Sequence, residues 1–214
     1  MIIIRKAEAS DKDAIEDICY RTGYMGEDLS GLEQFNDRIL FAALFCQYYI
    51  LYEKQHCFVA VDTEKNKVVG YILGTPDTKS QRRKVTFAMG WRIALRILSV
   101  TIWKYPESLK AVLHFIGGFE PSSDDFIYTQ YPAHLHINIL PDYQKSGIGK
   151  KLITAFEHHI QSFSKGVHLI TSNKNSKAIP FYRKMGYHLL KEKESKLWKG
   201  IDDYKTIVFV KEFY

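Results

Sequence analysis

The sequence predicts an α/β fold in which a mixed sheet is flanked by helices. Three observations carry that expectation. Short apolar, strand-like runs alternate along the chain with stretches whose apolar residues recur every three or four positions, the pattern of a sheet covered by helices. Cys57–Asp62 and Val68–Gly74 are two such runs joined by the polar link Thr63–Lys67, which reads as a hairpin. The run beginning at His134 empties into the glycine-bearing loop Gln144–Gly149, and a helical pattern starts immediately afterwards.

Taken in order, Ile2–Ala7 reads as a first strand, and Ser10 with Asp13 three residues on resembles a cap opening a helix to about Arg21. Thr22–Asp28 is a loop. A second helical region from about Leu32 carries Phe35, Ile39, Ala42, Ala43 and Cys46 at the spacing of a buried face. The hairpin follows, and then about fifty residues from Pro76 to Ile127 that are too many for a plain connection. Within them Phe87, Trp91, Leu95, Leu98 and Ile102 share one helical face, widened by Val85, Ile93 and Ile97, and Leu109, Val112, Leu113 and Ile116 mark a second helix ending at Gly117-Gly118. We read residues 77–127 as an inserted helical hairpin. Val85–Trp103 approaches the length of a membrane span, but Arg92 and Arg96 near its middle would each cost about 2.5–3.5 kcal/mol there, so no span is expected. A lid or an interfacial helix fits the same pattern.

Beyond the glycine loop, Gly149–Ser164 is helical with Leu152, Ile153, Phe156 and Ile160 inward, and Val167–Thr171 is a short buried strand. Asn175–Tyr187 reads as a capped helix stopped by Gly186, and Tyr187–Glu192 and Tyr204–Val210 close the sheet.

With 214 residues, 24.9 kDa, 46% apolar and 25% charged residues, the chain is expected to form one domain, 1–214. Cys19, Cys46 and Cys57 are odd in number and lack C-x-x-C spacing, which disfavours a disulfide framework and a zinc site. The N-terminal apolar run is too brief for a secretion signal and its charge follows rather than precedes it; a reducing cytoplasm is the expected compartment. The net charge of +6 is local: Lys79–Lys110 holds eight basic residues against Glu107 alone.

The loop Gln144–Gly149 invites an anion. The first backbone N–H groups of a helix lack intrahelical partners and converge where the macrodipole is positive, glycines let a phosphate approach, and Lys145, Lys150 and Lys151 add charge. The competing reading is an ordinary strand–turn–helix in which Gly147 and Gly149 cap or pack. A Walker loop is excluded by the missing GK[ST] ending, and a dinucleotide fingerprint by the missing third glycine.

Context decides between them. Q-x-x-G-x-G after a strand, followed by N-x-x-A-x-x-F-Y-x-x-x-G-Y over Asn175–Tyr187, resembles the acetyl-CoA-binding motifs of the GNAT (Gcn5-related N-acetyltransferase) superfamily. The resemblance is specific from about His134 to Tyr187 and loose elsewhere. It implies a GNAT fold of about seven mostly antiparallel strands, interrupted here by the helical insertion. It also implies acetyl-CoA as cosubstrate and acetyl transfer to a primary amine by direct attack in a ternary complex. On this resemblance the pantetheine arm runs along Ile137, Asn138 and Ile139, and the pyrophosphate sits on Gln144, Lys145, Ser146, Gly147, Ile148, Gly149 and Lys150. Tyr182 becomes the acid that protonates the departing thiolate, against a competing reading as a core aromatic. Asn175 becomes a pantetheine contact, against a competing reading as a helix cap.

The base and the acceptor are read more loosely. Strand alternation puts His134, His136 and Asn138 on one face, and His136 titrates where it can take the ammonium proton directly or through water. Many members of the family carry a glutamate in this region, which is absent here, so Glu27, Asp28, Asp124 and Asp125 are the alternatives. A metal on His134 and His136 lacks a third ligand, and a triad hydrolase lacks a G-x-S-x-G elbow. Tyr24, Tyr128 and Tyr131 are expected to flank the acceptor channel with Glu27, Asp124 and His134, for a small-molecule or a protein or peptide amine. For the basic insertion a lid is favoured, with contact in a homodimer second; Arg82-Arg83-Lys84 is short and lacks interleaved exposed aromatics, so nucleic acid is not expected. A reading of another class is a catalytically silent acyl-CoA-binding module recognising a protein or glycan partner. Tyr182 and the intact glycine loop argue for the enzyme.

Overall fold

The computed structural model describes residues 1–118, 125–195, 198 and 200–213, and of 116–118 the backbone alone. Strands β1 (Ile2–Lys6), β2 (Phe58–Asp62), β3 (Lys67–Thr75), β4 (Ala133–Ile139), β5 (Gly166–Ser172), β6 (His188–Glu194) and β7 (Lys205–Glu212) form one sheet in the order β1-β2-β3-β4-β5-β7-β6. Among the described residues β4 and β5 pair in parallel and every other neighbouring pair is antiparallel. This is the mixed, mostly antiparallel seven-stranded sheet expected from the sequence.

Helices cover both faces. On one, α1 (Lys12–Arg21) buries Ile15, Ile18 and Cys19. It starts later than the Ser10–Asp13 spacing predicts: Ala9–Asp11 form a 3-10 turn, and the Asp11 carboxylate accepts the Glu8 N–H at 2.8 Å while pairing with Arg5. Next come α2 (Arg38–Phe45) and α3 (Gln47–Tyr52). The predicted inward position of Ile39 is corrected: it is 52% exposed, because the helix starts only at Arg38 and turns Leu40, Phe41, Ala42 and Ala43 inward.

The segment between β3 and β4 folds as helices, α4 (Thr78–Arg96), one π-helical turn (Ile97–Thr101), α5 (Ile102–Lys104), α6 (Pro106–Gly118) and α7 (Asp125–Gln130). Asp37 fastens this insertion to the core. Its buried carboxylate caps α2 through the Leu40 N–H at 3.1 Å and accepts hydrogen bonds from Arg96 at 2.9 and 3.1 Å and from the Thr101 hydroxyl at 2.7 Å. Its own N–H donates to Ser108 of α6 at 2.7 Å. One side of α4 therefore faces the core, with Met89 fully buried. The stripe Phe87, Trp91, Leu95, Leu98 and Ile102, predicted to be the packing face, points outward instead.

The opposite face of the sheet carries α8 (Ile148–Ile160), buried at Leu152, Ile153, Phe156 and Ile160 as the spacing predicts. A Cβ on Gly74 would lie 2.2 Å from the Phe156 ring, so α8 sits directly on bare backbone there. Tyr71, three residues earlier and so on the other side of β3, is buried beside Cys19 of α1. α9 (Ala178–Lys184) follows β5 and ends at Gly186, whose φ of 84° suits glycine.

Candidate active site

The middle of the sheet divides. β4 is paired with β3 from His134 to its end, Thr75↔His134 to Gly70↔Ile139, but among the described residues meets β5 only at Ala133↔Val167 and His134↔His168. Beyond that point β5 continues on β7 to Ser172 while β4 runs its own way to Ile139. Among the described residues the β5-facing edge of β4 from Leu135 onward thus has no strand neighbour, in the centre of a sheet where backbone N–H and C=O groups are obliged to find partners. Ile137, Asn138 and Ile139 all lie on this divergent stretch. An extended chain laid along such an edge gains main-chain hydrogen bonds with no rearrangement of the strand.

The glycine loop stands at the mouth of the divergence. Pro141–Tyr143 form a 3-10 turn tied to β2 by the Tyr143 hydroxyl, which donates to Asp62 at 3.0 Å. The Gln144 side-chain amide donates to the Ile139 carbonyl at 3.0 Å, and the Ser146 hydroxyl to the Tyr143 carbonyl at 2.5 Å. Lys145 (φ 60°) and Gly147 (φ 82°) are left-handed, and this turns the chain so that Gly147 opens α8. The first helical hydrogen bond runs from the Lys151 N–H to the Gly147 carbonyl at 3.2 Å, leaving the amides of Ile148, Gly149 and Lys150 ahead of the helical ladder. The two glycines differ in task. A Cβ on Gly147 would meet nothing within 4 Å, so the space in front of the loop is open, whereas one on Gly149 would lie 2.9 Å from Phe181 Cζ. Gly149 is a packing glycine. The Ile148 side chain is buried in the core, so only its backbone faces the loop.

In α9, Tyr182 is 8% exposed and packs against Phe181, Tyr187 and Phe209. Its hydroxyl has no hydrogen-bond partner among the described residues, and burial pushes the phenol above its usual range, so it holds its proton at neutral pH. The Asn175 Oδ1 accepts the Ala178 N–H at 3.2 Å in the turn that leads into α9, whose N-cap position is Lys177. Its side-chain amide also lies against Gly26, where a Cβ would be 3.2 Å from Nδ2.

His134, His136 and Asn138 do share one face. The Asn138 amide donates to the Tyr71 hydroxyl at 3.0 Å and lies 3.4 Å from His136 Nε2. Burial lowers the His136 pKa to about 4. A ring so placed is neutral at physiological pH and open to hydrogen bonds as an acceptor, and its low pKa weighs against the base role expected for it. His134 is held by the Tyr49 hydroxyl at 3.0 Å from Nδ1 and packs on His168, which in turn donates from Nδ1 to the Tyr131 carbonyl at 2.7 Å. Tyr128 covers His168, and its hydroxyl accepts from Arg82 at 2.7 Å.

His134 and Tyr128 are therefore parts of a packed column at the closed end of the divergence, not walls of an acceptor channel. Tyr131 is likewise corrected: it is buried with Ile127, Val208 and Val210, with its hydroxyl on Glu212 at 3.3 Å. Glu27 is paired with Lys177 at 2.8 Å and Asp125 with Lys79 at 2.6 Å, and the Asp28 carboxylate accepts the Ser30 N–H at 2.7 Å. Asp124 lies outside the described residues.

A cleft of ≈ 570 Å³ opens where three separated segments meet: Leu32–Phe35, Glu107–His114 of α6, and Trp198 with Gly200 before β7. Phe35 and Trp198 meet edge to face at 5.6 Å, and Tyr24 packs on Trp198 at 5.2 Å, so among the described residues Tyr24 is the predicted acceptor residue that reaches its border. Glu33 and Glu107 supply carboxylates, the latter bonded to Lys110 at 2.6 Å, and His114 Nε2 is sealed from solvent with no partner among the described residues. Sequence reasoning missed Glu33, Glu107, His114 and Trp198, since nothing local brings these segments together.

A mixed sheet that divides between β4 and β5, with an amide-rich loop at its mouth, is the frame in which comparison with known proteins is to be read. Residues 112–189 match the family model of the acetyltransferase (GNAT) domain, from α6 through the loop to the start of β6. The structure of SsHAT superposes with a TM-score of 0.74 at 25% identity, covering 99% of this chain and 98% of that one. A Drosophila melanogaster polyamine N-acetyltransferase that catalyses the formation of N-acetylagmatine gives 0.62 at 13% identity, with full coverage of both chains at 100% and 100%. An agmatine N-acetyltransferase in its apo form gives 0.63 at 13% identity, covering 99% of each. The segment from residue 112 to 189 is thus similar to the GNAT acetyltransferase domain, and the whole chain shares the fold of these structures.

Proposed function

We propose that the whole chain acts as one catalytic unit, an N-acetyltransferase that moves an acetyl group from acetyl-CoA to the primary amine of a small cationic acceptor in the cytoplasm. The observation that carries this reading is the divergence of β4 from β5 with the Gly147 loop at its mouth. The pantetheine arm takes the free edge at Ile137, Asn138 and Ile139, and the pyrophosphate takes the amides from Ser146 to Lys150, with Lys145 and Lys150 alongside. Gln144 fixes the strand end by holding the Ile139 carbonyl rather than touching phosphate.

The amine attacks directly within a ternary complex. Its lone pair forms the C–N bond at the thioester carbonyl, the C–S bond then breaks, and the departing thiolate takes the Tyr182 proton, which the phenol regains from the nitrogen through solvent. The burial that raises the phenol acts equally on a thiolate beside it, so donor and acceptor stay matched. A covalent acyl-enzyme finds no support: Cys19, Cys46 and Cys57 are buried, and burial pushes the Cys57 thiol up to about 12. With His136 near 4, the ammonium proton is lost to water before attack, and His136 orients the incoming nitrogen as a hydrogen-bond acceptor.

The acceptor class follows from the cleft, where Glu33 and Glu107 outnumber Lys110 and suit a second cationic group held away from the reacting amine, with the largely buried Phe35 and Trp198 rings closing the inner wall. The structural neighbours that form N-acetylagmatine or act on agmatine point the same way. The test is release of free thiol from acetyl-CoA in the presence of agmatine or a diamine. Turnover that falls at least tenfold in kcat/KM for Glu33→Gln with Glu107→Gln supports the reading. Binding of acetyl-CoA without turnover on any amine would favour the silent module instead.

A further inference from the structure

The outward face of the insertion has no role in the chemistry above, and its composition is unusual for a surface. Phe87 is 83% exposed, Leu98 64% and Trp103 77%, and Trp91 and Leu95 are more than half exposed between them. From Phe87 to Leu95 the spacing is four and four, then three and four to Ile102, which lays the stripe along about 22 Å of helix at 1.5 Å per residue. An apolar patch of this extent marks an interaction site. By length and composition alone Thr78–Lys104 is long and apolar enough to cross a membrane, yet its inner side is committed to the core through Met89 and the Arg96–Asp37 pair. Crossing would tear that side away; lying flat would not.

The cations sort in the same direction. Lys79, Arg96 and Lys110 are engaged by Asp125, Asp37 and Glu107, and Lys84, itself exposed, lies 3.9 Å from the buried Glu53, whereas Arg83, Arg92 and Lys104 stay exposed beside the stripe, Arg92 with its guanidinium 5.0 Å from the Trp91 ring. Past Phe87 the stripe runs into a groove of ≈ 420 Å³ between α3 and α4, floored by Tyr48, Tyr52 and Ala88 and rimmed by Arg83 and Lys84. Apolar rings below two cations match a phosphate headgroup above its acyl chains.

We propose that α4 docks the protein on an anionic phospholipid bilayer, lying in the interface with Phe87, Trp91, Leu95, Leu98 and Trp103 inserted and Arg83, Lys84, Arg92 and Lys104 on the headgroups. Charge complementarity selects this occupant: a second copy would set the same cations against one another, and a nucleic acid would leave the apolar stripe uncovered. The proposal is independent of the acetyl-transfer reading.

Flotation with vesicles of phosphatidylcholine alone and of an equimolar mixture with phosphatidylglycerol tests it. The full chain should float with the mixed vesicles and scarcely with the neutral ones, and tryptophan fluorescence should shift to the blue on binding. Trp91→Glu with Leu95→Glu, both outward and so neutral to folding by thermal melt, should abolish flotation. Arg83→Gln with Arg92→Gln should weaken it about tenfold or more, at roughly one lipid-bound cation's worth per substitution. Equal binding to both vesicle types, no binding to either, or a concentration-dependent dimer that Leu95→Glu dissolves would each overturn it.

Discussion

Gly149 and Phe181 share one space: the Cβ that Gly149 lacks would sit 2.9 Å from Phe181 Cζ and 3.2 Å from Cε2. The first turn of α8, which presents the anion-binding amides, is thereby seated on the residue next to Tyr182. The loop motif and the aromatic motif of α9 are two sides of one contact, and their joint appearance in the sequence has this physical cause.

Enlarging the first side should disturb the second. Gly149→Val forces the Phe181 ring aside, and overpacking of this kind costs about 1–3 kcal/mol. Urea denaturation should show a lower midpoint at unchanged slope, and the variant should lose acetyl-CoA affinity because the helix start moves. A variant as stable and as tight-binding as the parent would mean that the contact is slack.

Tyr182→Phe separates chemistry from packing. The ring stays in its aromatic surroundings and the hydroxyl has no partner among the described residues, so stability and acetyl-CoA affinity should hold within experimental error. The turnover number should fall about 100- to 10,000-fold, the range for loss of a positioned acid. An unchanged rate would return Tyr182 to the core-aromatic reading.

Asp37 should govern the attachment of the insertion. Burial pushes its carboxyl up, but the hydrogen bonds from Arg96, Thr101 and the Leu40 N–H outweigh this and hold it below the usual carboxylate range. A depressed carboxylate stabilises the fold above its unfolded value of about 4 and loses that contribution as pH falls through its folded value. Asp37→Ala, which strands Arg96, should cost about 3–5 kcal/mol at neutral pH. The gap between parent and variant should close below about pH 4 in denaturation curves.

The histidines set a second pH window. Burial brings His56 and His136 down to about 4 and His134 well below its ordinary value, His56 with help from His159 and Lys6 and His134 with help from His168 and His136. The unfolded chain binds protons at these sites from about pH 6.5 downward while the folded chain does not, so their contribution is complete above about 6.5 and drains away toward pH 4. The urea midpoint should decline over that interval, more shallowly in His136→Asn. A flat midpoint from pH 7 to 5 would contradict the buried, neutral state of these rings.

Local pattern was enough for the strands, for α1 and α8, and for the order strand, glycine loop, helix, because each depends on periodicity or on backbone freedom at Gly147. It failed where two faces of one helix are both apolar. The three-and-four spacing of Phe87, Trp91, Leu95, Leu98 and Ile102 cannot say which face is inward, and Met89 and the buried Arg96–Asp37 pair decide it from elsewhere in the chain. Tyr131 and Tyr128 misled for a similar reason, since an aromatic before a strand packs at its closed end as readily as it lines a channel. The cleft of Glu33, Glu107, His114 and Trp198 was beyond reach, being assembled from segments over 160 residues apart.

The most direct measurement is calorimetric titration of acetyl-CoA into the wild-type chain, into Gly147→Ala and into Gly147→Glu. Both variants carry the same strain at a φ of 82°, and a side chain there meets open space, so they differ in the carboxylate alone. The account predicts saturable binding to wild type, modest weakening in the alanine variant and loss of at least a hundredfold in the glutamate variant with the fold intact. No binding to wild type, or equal binding to all three, would contradict the placement of the pyrophosphate on this loop.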